Sequence, residues 1–112
     1  SEMCIRDSYN SELKDIPNLK LTQPDTDDRE PIPWLFSILV ENKESFYSTM
    51  QSKGISVSQV HERNDKHTCT KPYRAFLPSL DDVCKKLTCI PCGWWLNDDD
   101  MDYVVKTIKE GW

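Results

Sequence analysis

The run of residues 34–40 constrains the fold more than any other part of the chain. It reads Trp-Leu-Phe-Ser-Ile-Leu-Val directly after Pro33, and aromatic and β-branched residues in such a run favour a strand. Apolar residues occupy both faces of the alternation, so we expect a central strand that is covered on both sides. A chain with such a strand must build a sheet around it and supply helices to cover the sheet.

The segment before this strand predicts the end of a helix, a short strand and a loop. Ile5, Tyr9 and Leu13 are spaced four apart, which is the spacing of one helical face. Leu19–Leu21 alternates apolar and charged residues and is predicted to be a short strand. Residues 23–31 are polar and contain two prolines, so we expect an exposed loop before the central strand.

A helix and a second strand are predicted directly after the central strand. Asn42 is a favourable N-cap, because its side chain can accept a hydrogen bond from an unpaired backbone N–H of the first turn. Phe46 and Met50 share one face of this helix, and Gly54 can adopt the left-handed conformation that ends it. In residues 55–60, Ile, Val and Gln alternate with serine, which predicts a strand with one buried face.

Two further helices, with a strand between them, complete the order of elements. Ser79 is predicted to cap the first helix and Asn97 the second, whose first turn carries three aspartates that favour the positive end of a helix. Residues 87–91 form the intervening strand, and Gly111 ends the last helix. The apolar stripes are Leu80, Val83, Cys84 and Leu87 in the first helix and Met101, Val104, Val105 and Ile108 in the second.

This order of elements predicts one small domain of the α/β class, α+β type. A small three-stranded sheet, mixed or antiparallel, with flanking helices is the arrangement that covers the apolar faces. A chain of 112 residues fits a single domain, here residues 1–112. A domain of this size buries about 65% of the surface that its unfolded chain exposes, so the chain is long enough for one hydrophobic core.

Charge and hydropathy exclude two classes of partner, and the cysteine content indicates a cellular compartment. The net charge is −5, whereas binding to a nucleic-acid backbone requires clustered Lys and Arg, so we expect no nucleic-acid partner. Because no apolar run approaches the length of a membrane span, we expect no membrane association. The five cysteines are an odd number, and no export signal is recognisable, which together favour a reduced, cytoplasmic protein.

Polar side chains are concentrated in residues 61–67, directly after the predicted second strand. His61, Asn64 and His67 can donate or accept hydrogen bonds, and the guanidinium of Arg63 suits phosphate or carboxylate groups. Binding residues are often placed on loops that a rigid sheet positions. The pattern alone favours a solvated loop in which Asn64 and Asp65 make local turn bonds.

The order of motifs from the middle of the chain to its end resembles one enzyme family. Residues 55–67 are followed by Tyr-Arg-Ala-Phe-Leu-Pro at 73–78, by Ile-Pro-Cys-Gly-Trp-Trp-Leu-Asn-Asp-Asp-Asp at 90–100, and by the amphipathic segment 101–112. With the strand that begins Pro-Trp-Leu-Phe at 33–36, this order is similar to the C-terminal small domain of the DegT/StrS sugar aminotransferases. These are pyridoxal-phosphate enzymes of fold type I, and the resemblance covers nearly the whole chain.

The resemblance implies that this chain is part of an enzyme and lacks the large cofactor-binding domain of the same polypeptide. The large domain would hold pyridoxal phosphate on a lysine and pass an amino group to a keto-sugar linked to a nucleotide. The family places a histidine after the second strand of its small domain, in a loop that faces the active-site cleft. His61 matches this histidine, and Arg63, Asn64 and His67 are further candidates for contact with the substrate. We expect no catalytic, cofactor-binding or metal-binding residue on this chain, which should be inactive alone.

A zinc-binding domain is an alternative function. Cys89 and Cys92 have a Cys-x-x-Cys spacing, which His61, His67 and Cys69 could complete to a tetrahedral shell. A single Cys-x-x-Cys pair is weak evidence, because structural zinc sites usually have a second pair at similar spacing. Cys89 also lies in an apolar strand, where cysteine commonly packs as a small hydrophobic residue. We therefore favour packing over metal binding.

The Trp94–Trp95 pair has a structural and a functional interpretation. We favour packing of one ring under the last helix with the other partly exposed, over a sugar-stacking platform or an interface anchor. A domain separated from its large domain would expose apolar surface, which favours association into a homo-oligomer. The second function hypothesis is a stand-alone small binding or interaction domain of the same fold.

Overall fold

The computed structural model describes residues 2–22 and 26–112. This part of the chain contains helices α1 (Glu2–Glu12), α2 (Lys43–Ser52), α3 (Pro78–Lys86) and α4 (Asp98–Lys109), and strands β1 (Leu19–Leu21), β2 (Phe36–Val40) and β3 (Leu87–Ile90). Two short 3₁₀ helices, Asn64–Lys66 and Thr68–Tyr73, lie between α2 and α3. The strands form one sheet in the order β1-β2-β3, and both pairings are antiparallel. The predicted fold class is confirmed.

Strand β2 is central, as the sequence predicts, but it begins at Phe36 rather than at position 34. Its register pairs Leu19 with Val40 on one side and Phe36 with Ile90 on the other. Phe36, Ile38 and Val40 face the core and are at most 1% exposed. The alternate residues of β2 are only half-buried, so one face of the strand is fully covered and the other only partly.

Helices α1, α2 and α4 supply the core that covers this face. The predicted apolar positions Tyr9, Leu13, Phe46, Met50 and Ile108 are all 0% exposed. The Tyr9 ring lies 4.8 Å from the Phe36 ring, centroid to centroid, and joins α1 to the central strand. The helical spacings of α1, α2 and α4 therefore identified the core faces correctly.

The predicted strand at residues 55–60 is wrong. The alternation is present, because Ile55 is buried while Ser56 and Ser58 are exposed, but the segment is only extended. Ser58 and Cys89 exchange two backbone hydrogen bonds, of 3.3 and 2.7 Å, and form an isolated bridge. Strand β3 spans only four residues, and beyond this bridge the segment turns away from it. The segment thus lines the edge of the sheet without extending the ladder.

Two of the three predicted helix caps differ in the structure. Asn97 caps α4 as predicted: its Oδ1 accepts from the Asp100 N–H at 2.8 Å, and an Asp100 carboxylate oxygen accepts from the Asn97 N–H at 3.1 Å. Asn42 precedes α2 with φ of +53° and no side-chain cap, so it supplies a left-handed turn instead. Helix α3 begins at Pro78, with Leu77 rather than Ser79 at the N-cap position, because proline is well suited to the first helical turn.

Helix α3 has the predicted amphipathic sequence but no buried residue. Its apolar side chains are at best half-buried, and Val83 is 36% exposed. Of the loop predicted at residues 23–31, residues 23–25 lie outside the described residues, and residues 26–30 are exposed. None of the helices in residues 2–22 and 26–112 combines the length and the apolar composition that crossing a bilayer requires.

Candidate functional site

A γ-turn at Val60 directs the chain away from the sheet edge. The His61 N–H donates to the Gln59 carbonyl oxygen at 2.5 Å, and Val60 between them has φ of +56°. A positive φ is unfavourable for a β-branched residue and costs about 1–3 kcal/mol. Strained backbone of this kind is found preferentially at functional sites. His61 therefore follows a bend that the surrounding structure must stabilise.

Arg63 holds the segment after this bend against α3. Its Nε and Nη2 donate to the two carboxylate oxygens of Asp65 at 2.7 and 2.5 Å, and its Nη1 donates to Asp81 in the first turn of α3. Arg74 donates to the backbone carbonyls of Asp65 and Lys66 at 2.6 and 3.3 Å. Arg63 and Arg74 thus stabilise the two ends of the loop that contains the 3₁₀ helices.

These contacts perturb the ionisation of the groups involved. Hydrogen bonds from Arg63 lower the pKa of the Asp65 carboxyl below its usual range. Hydrogen bonds to Asp65 and then to Asp81 raise the pKa of Arg63. The Arg63 guanidinium directs donors at two carboxylates, those of Asp65 and Asp81. Arg63 therefore has a structural role that its residue type alone does not indicate.

The other three site residues predicted from the sequence, His61, Asn64 and His67, are exposed on this loop. The backbone of the loop is ordered around them, because the Thr70 hydroxyl is 2.9 Å from the carbonyl oxygens of both Asn64 and His67. Exposed imidazole and amide groups on a fixed backbone suit the binding of a polar ligand. Their contact with a substrate stays a prediction.

An apolar face lies at the end of the sheet where the chain reaches His61. It includes Val60, the residue directly before His61. Val60 lines a cavity of about 650 Å³ together with residues that directly precede β2 and residues at the end of β3. These two strand ends are adjacent, because Phe36 pairs with Ile90. The large exposed side chains around this cavity, which we call the tryptophan face, are Ile32, Trp34, Val60, Trp94 and Trp95.

The Trp94–Trp95 pair does not pack as the sequence analysis favoured. Neither ring is buried under α4, since Trp94 is 78% and Trp95 63% exposed. The two rings are T-shaped, with centroids 6.1 Å apart. The Trp95 ring lies directly against the backbone of Gly93, and a Cβ at position 93 would overlap three of its ring carbons. Glycine at this position therefore leaves room for the observed orientation of an exposed indole.

Sequence reasoning did not single out Trp34 or Val60. For Trp34 the sequence carries no signal of exposure, because Trp34 continues the alternation of Phe36, Ile38 and Val40, which face the core. For Val60 the sequence carries no signal either, since a β-branched residue seldom adopts positive φ.

The cysteine pair lies inside the fold. Cys89 is 6% and Cys92 9% exposed, and the Cys89 Sγ is 3.4 Å from the Ser37 hydroxyl. In the described ranges, which omit residues 1 and 23–25, no three His, Cys, Asp or Glu side chains gather in a way that could hold a metal ion. The zinc alternative therefore has no geometric support in that part of the chain.

The glycines do not form a site for a phosphorylated cofactor. Backbone cradles for phosphate are built from glycine-rich loops that lead into a helix. The chain has three glycines, of which Gly54 and Gly111, with φ of +76° and +91°, lie just after the ends of α2 and α4. Gly93 accommodates Trp95. The three glycines, all in the described part of the chain, therefore form no phosphate cradle of this kind.

Comparison with known proteins gives the family. The model of the DegT/DnrJ/EryC1/StrS aminotransferase family matches residues 3–109. Sugar aminotransferase CalS13 from Micromonospora echinospora is 40% identical, with a TM-score of 0.89 over 96% of this chain and 30% of that chain. AtS13 from Actinomadura melliaura is 35% identical, with the same TM-score and the same coverage of each chain.

More distant structures agree in fold. The PLP form of the putative sugar aminotransferase Spr1654 from Streptococcus pneumoniae is 18% identical, with a TM-score of 0.84 over 97% of this chain and 30% of that chain. No curated protein matches the chain. The chain thus spans about 30% of the length of these solved aminotransferases. Since the family match covers residues 3–109, the chain belongs to the DegT/DnrJ/EryC1/StrS aminotransferase family and corresponds to its C-terminal small domain.

Proposed function

We propose that this chain is the C-terminal domain of a pyridoxal-phosphate-dependent aminotransferase that acts on nucleotide-linked keto-sugars. The observation that carries the proposal is the 40% identity to a sugar aminotransferase over 96% of this chain. The proposal includes a role in nucleotide-sugar biosynthesis and a cytoplasmic location, which the odd number of cysteines favours.

A large domain of the same polypeptide supplies the cofactor site in this proposal. The chain corresponds to 30% of CalS13, which leaves most of an enzyme of that length to be supplied elsewhere. Pyridoxal phosphate, when bound there, provides the electron sink for amino-group transfer. Because the three glycines form no phosphate cradle, the proposal assigns the cofactor site to the large domain and contacts with the substrate to this chain.

The loop after Val60 forms the small domain's part of the substrate site in this proposal. His61 faces the cleft, with Asn64 and His67 behind it, and these side chains can donate to and accept from sugar hydroxyls. Arg63 acts as a positioning residue, because its bond to Asp81 holds the loop against α3. The loop thus orients a polar substrate towards reacting groups on the large domain.

The purified 112-residue chain is expected to be catalytically silent. The measurement is amino transfer from an amino-acid donor to a nucleotide-linked keto-sugar, with pyridoxal phosphate added and a control without protein. Turnover above this control would overturn the assignment of the cofactor site to a separate large domain.

The role of His61 is tested in the longer natural polypeptide. His61→Ala should lower kcat/KM by about tenfold, because one hydrogen bond to the substrate contributes roughly 1.4 kcal/mol. Ser48→Ala, at an exposed position of α2, is the matched control and should leave kcat/KM unchanged. Equal values for His61→Ala and the unsubstituted enzyme would remove His61 from the substrate site.

A further inference from the structure

We propose that Lys43 is a positioning residue for His61, because it fixes the turn from which His61 leaves the edge of the sheet. The inference rests on the proposed function, since it takes His61 as a residue that contacts the substrate. Lys43 is the first residue of α2 and is half-buried, whereas His61 is exposed. In this role Lys43 does not touch the substrate and acts through Gln59 and the backbone of the turn.

The Lys43 ammonium binds three acceptors that belong to two other parts of the chain. Its Nζ donates to Gln59 Oε1 at 2.9 Å, and to the carbonyl oxygens of Cys84 and Leu87 at 2.8 and 3.4 Å. An ammonium group has three protons, so these contacts use its full donor capacity. Lys43 therefore joins the start of α2 both to the segment before His61 and to the end of α3.

The two carbonyl groups lie where a positive charge is favourable. Helix α3 ends at Lys86, and the last carbonyl groups of a helix have no partner within it and carry the negative end of its dipole. Removal from water lowers the pKa of Lys43, and the three acceptors compensate for the lost hydration. Because α3 has no buried residue, polar contacts such as these determine where its C-terminal end lies.

Gln59 connects Lys43 to the direction of His61. The Gln59 carbonyl oxygen accepts from the His61 N–H at 2.5 Å, and Val60 between them has φ of +56°. A residue in such a strained conformation keeps it only where the surrounding structure holds it there. Lys43 supplies part of this restraint, because it holds the side chain of the residue at which the turn begins. Without that contact, Val60 can relax to negative φ and the His61 side chain changes direction.

The chain on both sides of His61 is thus fixed to one helix. Upstream of His61, Lys43 joins Gln59 to the last turn of α3. Downstream, Arg63 donates to Asp81 in the first turn of the same helix. A side chain whose backbone is already held in place loses less conformational entropy when it binds a substrate. We therefore expect Lys43 to influence the reaction only through the orientation of His61.

The first experiment measures amide hydrogen exchange by NMR in the 112-residue chain. Lys43→Met keeps the apolar stem and removes the donors, so the His61 N–H should exchange about tenfold faster while the amides of β2 keep their rates. Lys53→Met, at an exposed lysine just beyond the end of α2, is the matched control and should change neither. Gln59→Leu breaks the same link but leaves Lys43 bonded to α3, so it tests the inference if Lys43→Met fails to fold.

The second experiment is a double-mutant cycle on kcat/KM in the longer natural polypeptide. Lys43→Met should lower kcat/KM by at most the tenfold loss expected for His61→Ala, and should have no further effect in the His61→Ala background. A residue that only stabilises the domain would lower kcat/KM by the same factor in both backgrounds. That result would overturn the inference, as would equal acceleration of exchange at His61 and in β2.

The outcomes separate this inference from the proposed function. Unchanged exchange at His61 in both Lys43→Met and Gln59→Leu, in a protein whose turnover falls on His61→Ala, would overturn the inference and leave the proposed function intact. Faster exchange at His61 in a longer polypeptide without transaminase turnover would support Lys43 as the anchor of the turn and count against the proposed function.

Discussion

The core under β2 and the open region around the tryptophan face differ in what their apolar side chains contact. In the core, Phe46 of α2 is fully buried and packs edge-to-face on Trp112, with centroids 5.1 Å apart. In the open region, defined as residues 56–86 with the tryptophan face, Phe76 is 87% exposed and Tyr73 84%. Both regions contain large apolar side chains, but only those of the core are covered by other parts of this chain.

This difference shows which apolar residues stabilise the domain through contacts within this chain. Burial of apolar area stabilises the core at about 25 cal/mol per Å², and the same residue types contribute little when water still covers them. The open region is instead held by polar contacts, such as those of Arg63 with Asp65 and Asp81. Side chains that are ordered but exposed are available to a partner, and this availability separates the open region from the core.

Two phenylalanine substitutions test the difference between the core and the open region most directly. Phe46→Ala should destabilise the domain by about 3–5 kcal/mol, because it removes a fully buried ring and leaves a cavity. Phe76→Ala should change the free energy of unfolding by no more than about 0.5 kcal/mol, since its ring is exposed. Urea denaturation of the 112-residue chain measures both. A similar loss for the two variants would show that the open region is packed in solution.

Two tyrosine substitutions compare the contribution of a buried hydroxyl group to stability with that of an exposed one. Tyr9→Phe should cost about 1–3 kcal/mol, because the Pro91 carbonyl would lose the buried donor that now lies at 2.5 Å. Burial of the hydroxyl also raises the pKa of Tyr9, so it stays a donor across the neutral range. Tyr73→Phe, at an exposed position, is the control and should leave the unfolding midpoint unchanged. If Tyr9→Phe left the free energy of unfolding unchanged, packing alone would hold α1 against the end of β3.

The strained turn can be tested with two valines of the same segment. Val60→Gly should stabilise the domain by about 1 kcal/mol, because glycine adopts positive φ without the strain that valine carries. Val57→Gly should destabilise it by about 1 kcal/mol, since Val57 is half-buried against the core and has no positive φ. Thermal unfolding distinguishes the two signs. If Val60→Gly destabilised the domain as much as Val57→Gly does, this result would contradict backbone strain at position 60.

The smallest effect is a pH dependence confined to the loop. The pKa of Asp65 is lowered in the folded protein, so the contribution of its bond to Arg63 is present above the unfolded pKa of about 3.9. That contribution is lost as the pH falls through the lower, folded pKa. Amide hydrogen exchange should therefore show residues 64–73 opening in acid before the core does.

The matched control for this titration is Asp65→Asn, which should remove the acid-induced step while leaving exchange in the core unchanged. Simultaneous opening of the loop and the core would contradict an independent role for the bond between Arg63 and Asp65.

The elements that the sequence predicted well are those whose side chains meet other parts of the same chain. The spacing of Ile5, Tyr9 and Leu13 identified α1, and the run before Val40 identified the central strand. The capping box of Asn97 was also predictable, because capping is a local interaction between a side chain and the next turn.

The remaining features depend on non-local contacts. Residues 55–60 alternate like a strand, but they meet the edge of β3 only at Ser58, and edge length is not visible in the sequence. The stripe of α3 has helical spacing, but its burial depends on what covers it. Arg63 has one local partner, Asp65, but the contact that joins it to α3 is with Asp81, eighteen residues along the chain, and the sequence does not show that contact.

The most direct measurement is the natural coding sequence upstream of Ser1, followed by a pyridoxal-phosphate and turnover assay of the polypeptide that it encodes. We predict a large upstream domain with a lysine that binds the cofactor, and amino transfer to a nucleotide-linked keto-sugar by the longer protein only. A start codon near residue 1, with no such domain in the polypeptide, would contradict this prediction and leave a stand-alone binding domain of the same fold.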